Sequence, residues 1–494
     1  MFLKQILTFI LLAKFSTAFN KIHPAFLDSD NSYYVSVVEK LPPSFIKHQK
    51  QGVLNLNAST TTTEIKESSS LTQSIQTETM TAGMSYLYSN NEDQAYSVNI
   101  TLNAKDYPVL IDTGSPYLWL YSTDCQDDSC KDKKLFDPND ANLKNGTFAL
   151  SYDSGVASGL IYDDAIIIGG FETHNFSFGV ADKVPDLFEN YGFSGVLGLP
   201  ADNTSNTGLV NAISFLSENG NIDSSKFTIC FGDYDSDTEN NGLLFFGSTK
   251  EILHDGDIYE SPIIQEAVSH WEIEIESVYV NDYQINFDSI QINGEQSNTS
   301  RIGLLDSGTT SLVLSENDAN RLHSFFDSSI TDGQNYAILC NSTLEFIFEI
   351  SDKNWTLTPD MYIGSQYGSD TDLDGYCISN IQGLDSTADG AWILGILFMK
   401  DKYVEFDYEN QLIGLAERNN NIKFVNPPKN TTTPITSDST LEHDVQTTLV
   451  SSTLVSSTSS TQSITASVSS HSNNANISRS VNNWIYLLLS AVFL

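Results

Sequence analysis

Positive charge is scarce in this chain: 24 Lys and Arg stand against 63 Asp and Glu, a formal net charge of −39 over 494 residues. Such a surface repels phosphate backbones and anionic headgroups within about a Debye length, roughly 8 Å at physiological salt, which argues against nucleic acid as a partner. It suits cationic substrates, acidic surroundings or plain solubility. Histidine is sparse at 8 residues, and no two cysteines have zinc-ligand spacing, so the sequence points to no metal and no cofactor. Asp370, Asp372 and Asp374 before Gly375 open like a calcium loop, but Ile381 stands at the twelfth position, where a bidentate Glu is required. Cysteine is limited to Cys125, Cys130, Cys230, Cys340 and Cys377, an odd number. Cys125 and Cys130 are placed to staple a small polar loop, and Cys340 and Cys377 to close a longer one. Cys230, within an apolar β-rich run, reads as a buried strand thiol without a partner.

Long apolar runs are also missing, and the two that exist lie at the ends. Lys4 precedes the run Ile6 to Ala13, and Ser16-Thr17-Ala18 offers small residues to a signal peptidase, so residues 1–18 read as a secretory signal. Trp484 to Leu494 is too short to span about 30 Å of hydrocarbon as a helix. With small residues from Ser472 to Ala475 and a polar spacer ahead of it, this tail has the pattern of a glycosylphosphatidylinositol signal attached near Asn473, residues 474–494 being removed. Sequons begin at Asn57, Asn99, Asn145, Asn175, Asn203, Asn298, Asn341, Asn354, Asn430 and Asn476, a density expected of a glycosylated surface in the secretory pathway. The expected destination is the outer face of the plasma membrane, held by a lipid anchor, or the cell wall.

Residues 19–83 read as a pro-segment and Ser/Thr-rich linker, and residues 426–473 as a Ser/Thr-rich stalk with too little apolar mass for a core. Between them, short β-branched and aromatic runs broken by Gly, Asn and Asp predict a mainly β fold. Helices are expected only over residues 208–218 and 315–327, the second capped by Ser315.

A weak internal repeat organises this β region. Val109-Leu110-Ile111-Asp112-Thr113-Gly114-Ser115 is echoed by Gly303-Leu304-Leu305-Asp306-Ser307-Gly308-Thr309. Val196-Leu197-Gly198 follows the first copy and Ile393-Leu394-Gly395 the second; 86 residues separate Asp112 from Gly198, and 89 separate Asp306 from Gly395. Two lobes of one plan, 84–258 and 259–425, would each deliver one aspartate. Peptide hydrolysis without a metal or a covalent nucleophile needs a base to activate water and an acid to protonate the carbonyl oxygen. Two carboxylates about 3 Å apart share one proton and supply both, the titration belonging to the pair. In this reading the glycines permit tight turns. Thr113 and Ser307 lock the loops to each other's backbone, and Ser115 and Thr309 hold the carboxylates in plane.

At these residues, over about Tyr86 to Glu417, the chain resembles the pepsin-like aspartic proteases. Trp119 stands at the family's usual distance after Asp112, Tyr152 in Leu150-Ser151-Tyr152-Asp153-Ser154-Gly155 where the family keeps its flap tyrosine, and Trp392 to Gly395 leads into Val404 to Asp407 much like the closing segment. The resemblance implies an all-β bilobal fold with a cleft between lobes, covered by a flap in which Tyr152, Asp153, Ser154 and Gly155 meet substrate and the Tyr152 hydroxyl bonds towards Trp119. It also implies an aspartic endopeptidase acting on proteins and peptides, as a monomer. The anchored form with its stalk is similar to the fungal yapsins, which cleave beside basic residues. Three features depart from the family pattern: no Lys-Arg pair ends the pro-segment, Ile396 replaces a frequent Asp, and Asp153 replaces a usual Gly and is expected to favour a basic side chain. Lys133-Lys134 reads as an exposed loop open to a processing cut. The competing readings are an inactive peptide-binding or wall protein of the same fold, and an adhesin.

Overall fold

Short runs such as Tyr107 to Ile111 and Phe227 to Phe231 carry the β-branched and aromatic residues that pack well on a pleated surface, and they form the strands of the fold. The structure is a computed structural model and describes residues 34–35, 83–91, 93–152, 155–202, 209–232, 241–247, 251–264, 270–369, 372–384 and 390–420. All of them belong to one compact unit. The expected leader, the expected stalk, the expected anchor residue Asn473, and Asn57, Asn203, Asn430 and Asn476 lie outside the described residues, as do Asp153 and Ser154 of the expected flap and Asp370 of the rejected calcium loop.

The molecule is mainly β, as the sequence predicts, with a few short helices. The first half builds a nine-stranded sheet that includes Lys105–Asp112, Trp119–Tyr121, Asn142–Tyr152, Gly155–Ile168 and Gly195–Gly198, with the two-residue strand Tyr34–Val35 parallel to Ser151–Tyr152 at its edge. The second half builds a five-stranded sheet from Glu272–Ile275, Arg301–Leu305, Ala391–Leu394, Leu312–Ser315 and Ile381–Leu384, flanked by smaller sheets.

The sequence repeat is a structural repeat. Gly195–Gly198 lies parallel to Lys105–Asp112, pairing Gly198 with Asp112, and antiparallel to Trp119–Tyr121. Ala391–Leu394 lies parallel to Arg301–Leu305 and antiparallel to Leu312–Ser315 in the same way. The repeated pattern of apolar-apolar-Gly has a steric cause. A Cβ on Gly198 would stand 2.4 Å from the Tyr117 amide nitrogen, and one on Gly395 2.3 Å from the Ser311 carbonyl oxygen. Each glycine lets the loop after its aspartate pass directly over it.

A six-stranded sheet joins the halves: His254–Pro262, Leu412–Arg418, Lys402–Asp407, Lys226–Phe231, Gly242–Phe246 and Met84–Tyr86, in that order. The expected lobe boundary at 258/259 therefore falls inside the strand His254–Pro262, because the junction between lobes is itself hydrogen-bonded sheet. The Trp271 indole adds a bond across, donating to the Leu199 carbonyl at 2.7 Å.

The two expected helices are shorter than their sequence windows. One is Ala212–Glu218, capped by Asn211, whose side chain accepts from the Ser214 amide. The other is Glu316–His323, capped by Ser315, and it stops four residues before Asp327. Pro359–Tyr362 and Ile396–Met399 form two further helical turns that apolar periodicity did not flag. Among the described residues no helix is long and apolar enough to cross a membrane.

Candidate active site

Strand Lys105–Asp112 ends on Asp112, and strand Arg301–Leu305 stops one residue short of Asp306; both aspartates are about 1% exposed. Burying two carboxyls is costly unless they are hydrogen-bonded and share charge. Each is answered by its own loop. Asp112 accepts from the Gly114 amide at 2.9 Å and from the Ser115 hydroxyl. Asp306 accepts from the Gly308 amide at 2.9 Å and from the Thr309 hydroxyl at 2.8 Å. The two carboxyls also hydrogen-bond each other, an arrangement open to them only when one of the two is protonated. Desolvation, followed by the Asp306 charge, holds the Asp112 carboxyl well above the usual carboxylate range.

The loops are fastened crosswise. The Thr113 hydroxyl donates to the Leu305 carbonyl at 2.8 Å and accepts from the Ser307 amide at 2.9 Å. The Ser307 hydroxyl donates to the Ile111 carbonyl at 2.9 Å and accepts from the Thr113 amide at 3.1 Å. Both side chains are fully buried, so these four bonds run in low dielectric between residues nearly 200 positions apart in sequence. Gly114 differs from its sequence reading: its backbone is not left-handed. It does lie in the turn closed by the Ser115 amide donating to the Asp112 carbonyl at 3.3 Å, and a Cβ there would come within 3.0 Å of Asp306 Oδ1, so its smallness makes room for the opposite carboxyl.

Tyr152 and Gly155 face each other in register across the long hairpin Asn142–Tyr152/Gly155–Ile168. The Trp119 indole donates to the Tyr152 hydroxyl at 2.8 Å, the direction required of an indole, which has no acceptor. Tyr152 also hydrogen-bonds Ser115, so a continuous chain runs Trp119, Tyr152, Ser115, Asp112. Burial, followed by the Asp112 charge, pushes the Tyr152 phenol well above its usual range, keeping it protonated. Phe188, which the sequence did not single out, stands edge-on to Tyr152 at 5.0 Å and to Trp119 at 5.7 Å.

Elsewhere, Cys125 is bonded to Cys130 and Cys340 to Cys377. Cys230 is free and fully buried, and burial pushes its thiol up to about 12, beyond ordinary reactivity. The described sequon residues Asn99, Asn145, Asn175, Asn298, Asn341 and Asn354 are all exposed. Lys133 is tied down, its ammonium donating to the Glu189 and Tyr191 carbonyls, and Lys134 lies 5.3 Å over the Tyr107 ring. A cut at this pair would first have to break those contacts. Ile396 is buried in the core and its amide donates to the Thr309 carbonyl at 2.8 Å. Among the described residues no cluster of three His, Cys, Asp or Glu side chains is arranged to hold a metal ion.

Sequence reading missed a buried knot behind Asp306. Arg301, at the head of that strand, is fully buried and clamps Asp318 through Nε at 2.7 Å and Nη2 at 3.0 Å, while the Trp392 indole donates to the same carboxylate at 2.8 Å. The one available signal was an arginine opening an apolar strand in a chain poor in cations.

Comparison with known proteins agrees with this geometry. The model of the eukaryotic aspartyl protease family matches residues 94–418. The aspartic-type endopeptidase ctsD of Aspergillus fumigatus is 27% identical over 338 residues, covering 67% of this chain and 67% of that protein. Pepsin A of Bos taurus is 26% identical over 329 residues, covering 65% of this chain and 82% of that protein. The probable aspartic-type endopeptidase CTSD of Trichophyton verrucosum is 27% identical over 333 residues, and the match spans 61% of its length.

Proposed function

The chain belongs to the eukaryotic aspartyl protease family and is an aspartic-type endopeptidase, and from that premise we propose that Asp112 and Asp306 hydrolyse peptide bonds in secreted or wall proteins at the cell surface. The observation that carries the assignment of these two residues is the pairing of two buried carboxyls within a symmetric cradle of donors. One carboxyl, ionised, draws a proton from water poised between the two as that water attacks the peptide carbonyl. The other, protonated, gives its proton to the carbonyl oxygen. Gly114, Gly308, Ser115 and Thr309 hold both carboxyls against rotation, and Thr113 and Ser307 hold the two loops together. Tyr152, fixed by Trp119, covers the bound peptide and limits water.

The finer reading follows the sequence. Signal, pro-segment, two lobes, stalk and lipid anchor at Asn473 would place a monomeric, glycosylated enzyme of yapsin-like organisation on the outer face of the plasma membrane or in the wall. The acidic surface and Asp153 support a preference for basic residues, and an unchanged preference in Asp153→Asn would remove Asp153 from that account. An inactive wall or peptide-binding protein is disfavoured by the intact donor set around both carboxyls.

The decisive experiment is cleavage of a peptide library between pH 4 and 6 by the processed ectodomain, wild type beside Asp306→Asn. Loss of at least about 10³-fold in kcat/KM in the folded variant, with an acidic optimum in the wild type, is the expected outcome. Retained cleavage by Asp306→Asn would end the two-aspartate mechanism.

A further inference from the structure

Asp306 stands two residues beyond Leu304, and alternation along a strand puts both on one side of the sheet. On strand Arg301–Leu305 the residues of that side, Ile302 and Leu304, are half-exposed, whereas Gly303 and Leu305 are buried. The neighbouring strand Glu272–Ile275 is the outermost of its sheet, and its register sets Glu272 opposite Leu304 and Glu274 opposite Ile302. Cross-strand partners share a face. Ile273 and Ile275 take the core side, leaving Glu272 on the side of the reacting aspartates, one strand away from Leu304. The register is pinned beside Asp306, because the Leu305 amide donates to the Trp271 carbonyl at 3.0 Å.

From this placement, and resting on the endopeptidase reading above, we propose that Glu272 is a specificity-determining residue of the second-half wall of the cleft, receiving a lysine or arginine side chain of the substrate. Among the described residues no side chain hydrogen-bonds or ion-pairs with its carboxyl, and Leu304 and Ile302 beside it are apolar. The residue is partly exposed, and desolvation pushes its carboxyl up to about 7. A carboxyl so placed gains most from a cation brought by another molecule: the ammonium or guanidinium docks, the carboxyl proton leaves to water, and the charge is answered. Glu274, about 7 Å further from Asp306 on the same face, adds to the negative field without touching the same side chain.

The experiment is kcat/KM on peptide sets in which each position in turn carries Lys, Arg or the uncharged isostere norleucine, with wild type, Glu272→Gln, Glu272→Asp and Asp306→Asn. Expected is a wild-type preference for the cation at one position, reduced about ten-fold or more in Glu272→Gln and to an intermediate value in Glu272→Asp, which keeps the charge but shortens its reach. If Glu272→Gln does not fold, the Asp variant decides by the same ratio. An unchanged ratio at every position in a cleaving variant, or no cation preference in the wild type, overturns the role of Glu272 while leaving the aspartate pair intact. Cleavage by Asp306→Asn overturns the pair instead.

Discussion

Replacing Thr113 by Val tests whether the crosswise fastening holds the two aspartates in place. Valine keeps the shape of threonine and removes only the hydroxyl. That hydroxyl satisfies two groups, the Leu305 carbonyl at 2.8 Å and the Ser307 amide at 2.9 Å, in a spot with no exposure to solvent. Each buried group left without a partner costs about 1–3 kcal/mol, so the substitution should destabilise the protein by about 2–6 kcal/mol. Ser307→Ala strips the Ile111 carbonyl and the Thr113 amide in the same manner. The two losses should not add. Once one hydroxyl is gone the loops relax apart and the second holds less, so the double variant should fall short of the sum by more than about 0.5 kcal/mol. Urea titrations followed by tryptophan fluorescence give the energies, and kcat/KM gives the catalytic consequence, about 100-fold for a displacement near 1 Å. A Thr113→Val protein destabilised by less than about 0.5 kcal/mol, or a strictly additive pair, would refute the reasoning.

Two further variants probe the second half. Asp318→Asn leaves the buried Arg301 guanidinium without its countercharge and should cost about 3–5 kcal/mol, read as a fall in Tm, whereas a shift under about 2 °C would show that Arg301 finds other compensation. His323 is buried between the Ala319 carbonyl and the Ser379 hydroxyl, stacked 3.7 Å from Tyr336, and burial lowers it to about 4 from 6.5. Because its folded value is depressed, the unfolded chain takes up the proton first as pH falls, and stability drops between about pH 6.5 and 4 by up to about 3 kcal/mol. In His323→Phe the slope of stability against pH should lose about one proton over that window; an unchanged slope would assign the acid limb to other groups.

What the sequence made legible is what is written locally. The paired Asp-hydroxyl-Gly-hydroxyl segments and their downstream Leu-Gly partners are short, repeated and evenly spaced, so strand, loop and pairing glycine can all be anticipated from them. The same holds for Tyr152 and Trp119, whose positions are fixed relative to the nearby Asp112 loop. Other features depend on residues far apart. Nothing in His254–Pro262 announces that its partner is Leu412–Arg418, so the expected lobe boundary falls within a strand. The turn at Gly114 is legible, but the demand for a residue without a Cβ there comes from Asp306, which arrives from the other half of the chain. The Arg301, Asp318 and Trp392 knot is hidden for the same reason, and helix ends shift by a few residues because capping bonds and not apolar periodicity set them.

The shared six-stranded sheet has a consequence for the order in which the protein can mature. Residues 226–230 find their partners 173 to 181 positions later in the chain. At about 5–20 residues per second of synthesis, the first half waits on the order of 10–35 seconds with a completed hairpin on one side of Lys226–Phe231 and an open, apolar edge on the other. Such an edge is a template for wrong pairing. Closure of the sheet is thus a late event, contingent on arrival of the last strands, and a ribosome that stalls between residues 260 and 400 would present a half-molecule that is folded locally and adhesive along one seam.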